Sequence, residues 1–157
     1  MGHNINTLIG RLPINIDKVE KYGLAVAVES NYAIVFLDDD HLFHWSYILD
    51  LRYYADNEYL CFGNELVHFF AQEIGLKNYV IAYLSSGFYG VLYNNAIQIV
   101  EGGINLVLKE LGVNSNGLQN EFDQLNLDKY RHSEVYYLRN EFKWEIPANV
   151  IVGHIEK

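Results

Sequence analysis

Short apolar runs, each closed by a glycine or a polar turn, constrain this chain more than any other feature. Gly23 follows Ile16 to Tyr22, and Ser30-Asn31 separates Leu24–Val28 from Tyr32–Leu37. Gly75 follows Asn64 to Ile74, Glu101-Gly102-Gly103 follows Val91 to Val100, and Gly112 follows Ile104 to Leu111. Glycine ends helices because it takes the left-handed conformation without steric cost, and polar pairs turn hairpins. The chain is therefore cut into short elements. No run approaches the length of a membrane span, since Glu101 and Lys109 interrupt the most hydrophobic stretch.

The spacing of apolar residues sorts these elements. Ile5, Thr7 and Ile9 alternate as a strand does, and Leu24–Val28 with Tyr32–Leu37 reads as a hairpin. Tyr79–Leu84 reads as a buried strand, Val91–Val100 as another, and Val135–Leu138, Phe142–Ile146 and Val150–Val152 as terminal strands. Helical spacing predicts helices over Ile16–Tyr22, Asp40–Tyr54, Asn64–Ile74 and Ile104–Leu111, with a short one within Leu118–Leu127. Strands clustered with segregated helices predict an α+β fold: a single domain over residues 1–157, mainly antiparallel sheet with three to four helices packed on it. At 157 residues, half of them hydrophobic, the chain is large enough to build its own core.

Charge is distributed unevenly. Between Glu29 and Glu73 stand nine carboxylates (Glu29, Asp38, Asp39, Asp40, Asp50, Asp56, Glu58, Glu65 and Glu73) against one base, Arg52, so this segment carries −8 of the net −9. The same segment holds Tyr32, Phe36, Phe43, Trp45, Tyr47, Tyr53, Tyr54, Tyr59, Phe62, Phe69 and Phe70. No cluster of Lys and Arg offers a surface for phosphates, so nucleic acid and anionic membrane are not expected as ligands. The N-terminus lacks a basic segment followed by an apolar one, and the single Cys61 excludes an internal disulfide. A cytoplasmic protein is expected.

Three short stretches carry residue types that chemistry uses. Asp38-Asp39-Asp40-His41 with His44 places two histidines three residues apart on a helix, with an aspartate one turn earlier, a trio that could hold a divalent metal. The same aspartates cap a helix equally well, and that reading is preferred, with no metal expected. Ser85-Ser86-Gly87-Phe88-Tyr89-Gly90 is a glycine-flanked turn that matches neither a phosphate loop nor a nucleophile elbow. It is read as a hairpin turn displaying Phe88 and Tyr89. Asp128 to Glu134 holds an acid, bases, His132 and Ser133, but one loop does not supply nucleophile–base–orienter geometry, so no catalytic residue is assigned.

Several patches resemble a group of small, uncharacterised bacterial proteins. They are Ile104-Asn105 with Leu108 and Leu111-Gly112-Val113, then Glu121-Phe122-Asp123 with Leu125 and Leu127, then Tyr130-Arg131-His132, and the opening Met1-Gly2-His3 with Ile9-Gly10-Arg11. The resemblance implies a bacterial cytoplasmic protein and brings no activity with it, and the run from Asn140 to Lys157 looks like a C-terminal extension to that group. In composition, the chain also resembles bacterial immunity proteins, which are small and acidic and bind the active domain of a toxin. That likeness implies an inhibitor whose carboxylates pair with the bases of a toxin or effector while aromatic side chains seal the contact.

The expectation is thus an acidic protein-binding module rather than an enzyme, without a cofactor. Its partner-binding residues are Asp38, Asp39, Asp40, Asp50, Asp56 and Glu58 for charge and Tyr53, Tyr54 and Tyr59 as anchors. The alternatives are a metal-dependent hydrolase using Asp38, Asp40, His41 and His44, and a small-ligand sensor using the Ser85–Gly90 turn.

Overall fold

A computed structural model describes residues 6–52, 65–84, 88–115, 120–127 and 150–152. Strands β1 (Asn6–Arg11), β2 (Ala25–Glu29), β3 (Tyr32–Leu37), β4 (Asn78–Tyr83), β5 (Tyr89–Asn94), β6 (Ile97–Gly103) and β7 (Val150–Val152) form one sheet in the order β6-β5-β4-β1-β3-β2-β7. Every neighbouring pair is antiparallel. β1 lies at the centre, with Leu8 opposite Val35 on one side and Ile81 on the other. The fold is α+β, as the sequence predicts. Five helices are present among the described residues, one more than the upper expectation: α1 (Ile16–Lys21), α2 (Asp39–Leu49), α3 (Glu65–Glu73), α4 (Ile104–Leu111) and α5 (Glu121–Gln124).

These helices cover both faces of the sheet. Side chains alternate across a strand, and β3 shows the result: all six of its residues are buried. Ala33, Val35 and Leu37 enter one core with Leu8, Leu42 of α2, and Leu66, Val67 and Phe70 of α3. Tyr32, Ile34 and Phe36 enter a second core with Ile9 and with Ile104, Val107, Leu108 and Leu111 of α4. Antiparallel sheets commonly leave one face wet, and their strands then alternate apolar with polar. Here both faces are dry along the central strands, which is why those strands read as continuous apolar runs. Close packing is visible at Gly90: a Cβ there would stand 2.7 Å from Val107 Cγ2, so α4 approaches β5 only because that residue lacks a side chain.

Two boundaries differ from the sequence expectation. The run Val91–Val100 is not one strand but parts of two, joined by a hairpin at Asn95 and Ala96, whose φ angles are 48° and 67°. Consecutive residues at positive φ make the type I′ turn, whose twist matches that of antiparallel strands. Without a glycine, it carries no strong mark in sequence. Helix α2 stops at Asp50 rather than reaching Tyr54: Asp50 is left-handed (φ 54°, ψ 45°), and Ser46 Oγ donates to Leu51 O at 2.5 Å. Aspartate tolerates that conformation better than most residues, so it closes the helix where a glycine would be expected.

Candidate docking face on helix α2

The acid–aromatic segment begins at β2, runs through β3 and α2, and ends in α3. Among its described residues, the exposed large apolar side chains all stand on α2. The helix starts because the Asp38 carboxylate accepts the His41 N–H at 3.2 Å, satisfying one of the free donors of the first turn. Its inner side is clamped to the C-terminus of α1. The Tyr22 carbonyl, just past α1, accepts from His41 Nε2 at 2.8 Å and from Trp45 Nε1 at 2.9 Å. A carbonyl accepts only from a ring N–H, so His41 carries its proton on Nε2. The Tyr22 ring stands edge-on to Trp45 and to Phe69 of α3, with centroids 5.1 and 5.7 Å apart. Its hydroxyl donates to Glu73 Oε1 at 2.8 Å. Tyr22 thus ties three helices together through its carbonyl, ring and hydroxyl.

This junction fixes what α2 turns outward. Phe43 and Tyr47, four apart, lie exposed, as do His44 and Ile48, and Tyr47 is 89% accessible. The outer face of an ordinary surface helix is polar. Here it is largely apolar, with Asp38 at the start, Asp50 exposed at the end, and no lysine or arginine along the helix. Leu42, Phe43, Trp45, Tyr47, Ile48 and Leu49 are more apolar residues than one buried stripe accommodates. That excess is the sequence signal for Phe43, Tyr47 and Ile48, which are not among the expected anchors.

Of the nine predicted partner-binding residues, Asp38, Asp39, Asp40 and Asp50 fall on α2 or its caps. Asp39 and Asp40 stand in the first turn, with side chains outside the described residues. Tyr53, Tyr54, Asp56, Glu58 and Tyr59 lie outside the described residues, as do Cys61, Ser85–Gly87 and the loop Asp128–Glu134. Several other carboxylates of the segment are engaged within the protein. Glu29 is buried, with Asn126 Nδ2 donating to it at 3.4 Å. Arg52 pairs with Glu65 and holds that carboxyl below its usual range. The Tyr22 hydroxyl, and after it Lys18, holds Glu73 low in the same way, while burial and then Glu73 push the Tyr22 phenol up to about 12. Among the described carboxylates of the segment, then, Glu29, Glu65 and Glu73 are engaged within the protein, Asp38 caps α2, and Asp50 stands exposed at the far end of that helix.

The two histidines offered as metal ligands diverge. His41 is buried, with Nε2 spent on Tyr22, whereas His44 is exposed and edge-on to Trp45 at 5.5 Å. Residues three apart differ by about 60° around a helix, enough to put one at the core and the other in solvent. His68 lies elsewhere: its Nδ1 meets the Tyr79 hydroxyl at 2.6 Å, and its ring is edge-on to Tyr93. Among the described residues, no three His, Cys, Asp or Glu side chains gather as a metal site would need. At the Ser85–Gly90 turn, Phe88 is exposed and packs edge-on against Phe122 at 5.4 Å, and its carbonyl accepts the Ile104 N–H that opens α4. Tyr89 is half-buried, stacks on Tyr83 and donates to Glu101. No helix among the described residues is long and apolar enough to cross a membrane. Compared with family models, curated proteins and solved structures, the chain matches none.

Proposed function

We propose that this protein is an acidic protein-binding module of the immunity type, which docks on a basic toxin or effector domain through the outer face of α2 and occludes it. The observation that carries this reading is the rigidly held, solvent-facing cluster of Phe43, Tyr47 and Ile48 on a helix that bears acid at both ends and no base. Carboxylates speed the encounter with a positively charged surface. Tyrosine and phenylalanine then supply contact area with few rotatable bonds to immobilise, and excluded water strengthens the charge pairs at the rim. The helix needs no rearrangement to bind, because the Tyr22 junction already sets its outer face.

The test is capture from native cell extract with the protein as bait, eluted by rising salt, beside two variants. A stoichiometric basic protein that elutes with salt, and is lost with Tyr47→Ala or with Asp39→Lys, Asp40→Lys and Asp56→Lys together, is the expected result. A partner captured equally by wild type and both variants would place the docking face elsewhere.

A further inference from the structure

A second surface, remote in kind from the acidic helix, lies at the sheet's edge. β6 ends the strand order, and on its side away from β5 no strand stands among the described residues. Such an edge presents a row of backbone donors and acceptors to which another extended chain can add. Proteins usually guard such edges with lysine, proline, inward charge, very short strands or a bulge, and of these β6 carries only a bulge. β6 is seven residues long and has neither lysine nor proline. Its one charge is Glu101, to which the Tyr89 hydroxyl donates. Ile97 and Ile99 stand 67% and 59% exposed along it.

The edge is self-complementary. Leu92 pairs with Val100 and Tyr93 with Gln98, so Ile99 is the extra residue of a bulge. The bulge shifts the alternation, so that Ile97, opposite Asn94, and Gly102, opposite Gly90, point to the same face of the sheet. That face is the one covered by α4, whose exposed Leu106 lies over Gly102: a Cβ there would stand 3.1 Å from Leu106 Cδ2. When two copies of β6 run antiparallel about a two-fold axis near Ile99 and Val100, Ile97 of one copy comes opposite Gly102 of the other. The isoleucine then lies beside Leu106, which already covers Gly102. Glu101 falls opposite Gln98, so no like charges meet. An isologous contact of this kind closes at two copies and covers both edges at once.

We propose that β6 is a homodimerisation edge, at which two copies of this chain join their sheets into one continuous antiparallel sheet with Ile97, Ile99 and Leu106 sealed between them. The contact is apolar and backbone-mediated between two chains that each carry −9, so salt strengthens it by screening their repulsion. Docking on α2 has the opposite dependence, and the two readings fail separately.

The test is sedimentation velocity on the full chain at about 1 to 100 µM, in low and in high salt, a concentration range suited to an interface at the small end of the stable classes. Wild type is expected to pass from monomer to dimer within this range, at lower concentration in high salt. Ile97→Lys and Ile99→Lys, both at exposed positions that spare the core, are each expected to weaken the dimer at least tenfold with unchanged circular dichroism. Tyr47→Lys is expected to leave the dimer intact. Backbone amides of 97–101 should gain protection from hydrogen exchange as concentration rises. A monomer at every concentration and salt, a dimer that survives both lysine variants, or a dimer lost with Tyr47→Lys would each overturn the proposal.

Discussion

Trp45 and Tyr47 stand two residues apart on one helix, and the structure assigns them opposite energetic roles. Trp45→Phe removes the indole N–H that donates to Tyr22 O at 2.9 Å, together with part of a half-buried ring packed edge-on against Tyr22. The Tyr22 carbonyl keeps its second donor, His41 Nε2, so no buried acceptor is orphaned. The hydrogen-bond loss is then the ordinary net value of about 0.5–1.5 kcal/mol rather than a full desolvation penalty. Shrinking a half-buried indole to phenyl adds roughly 0.5–1 kcal/mol of lost burial and packing. The sum, about 1–2.5 kcal/mol, corresponds to a fall in Tm of roughly 2–10 °C for a chain of this size. Tyr47→Ala, at a side chain 89% accessible, should change stability by no more than about 0.5 kcal/mol. Urea unfolding followed by far-ultraviolet circular dichroism reads both, with equal m-values as the check that the comparison is valid. Equal midpoints for the two variants would refute the Tyr22 junction, and a loss near 2 kcal/mol in Tyr47→Ala would show that this side chain is packed and is no free anchor.

Other expectations follow from the same contacts. Burial lowers the pKa of His68, whose Nδ1 faces the Tyr79 hydroxyl. The unfolded chain therefore takes up this proton first, near pH 6.5, so His68 contributes stability above that pH that is lost as pH falls toward its folded pKa; His68→Phe should flatten that part of a pH–stability profile. Gly90→Ala puts a methyl group 2.7 Å from Val107 Cγ2 and should cost about 1–3 kcal/mol by overpacking, measured by urea unfolding. Asp38→Ala removes the cap of α2 and should cost about 1 kcal/mol in the same assay. Phe70→Ala, in the core beneath α3, should cost about 3–5 kcal/mol, against which the cap loss is small.

Much of the fold is legible where a local rule acts alone. Gly112 follows an amphipathic run, and α4 ends there, at a left-handed C-cap. Ser30-Asn31 divides two apolar runs, and they pair as a hairpin with Glu29 opposite Tyr32. Asp38 precedes an apolar stretch and caps it. The rules fail where a side chain takes an unfavoured role. Asn95 and Ala96 turn a hairpin without glycine, so β5 and β6 merge when read as sequence. Asp50 ends α2 in a conformation usually left to glycine or asparagine. At the candidate site, the acidic and aromatic character of the segment is plain in the sequence, but its apportionment is not. Glu29 and Glu73 are as acidic on paper as Asp50, yet the first is buried and the second is held by Tyr22 and Lys18.

By itself, then, the sequence determined the fold class, the number of helices among the described residues to within one, many of the element boundaries, and where negative charge and aromatic rings accumulate. These properties depend on residues close together in the chain: periodicity, caps and turn chemistry. Only the tertiary structure decided that β1 is central, that both faces of the sheet are covered, that His41 turns inward while His44 turns out, and that Phe43, Tyr47 and Ile48 remain in solvent. Each depends on a partner far along the chain, such as the Tyr22 carbonyl that draws in His41 and Trp45 across about twenty residues. The same apolar residue is core or contact surface according to whether another element is packed over it, and no local pattern contains that information.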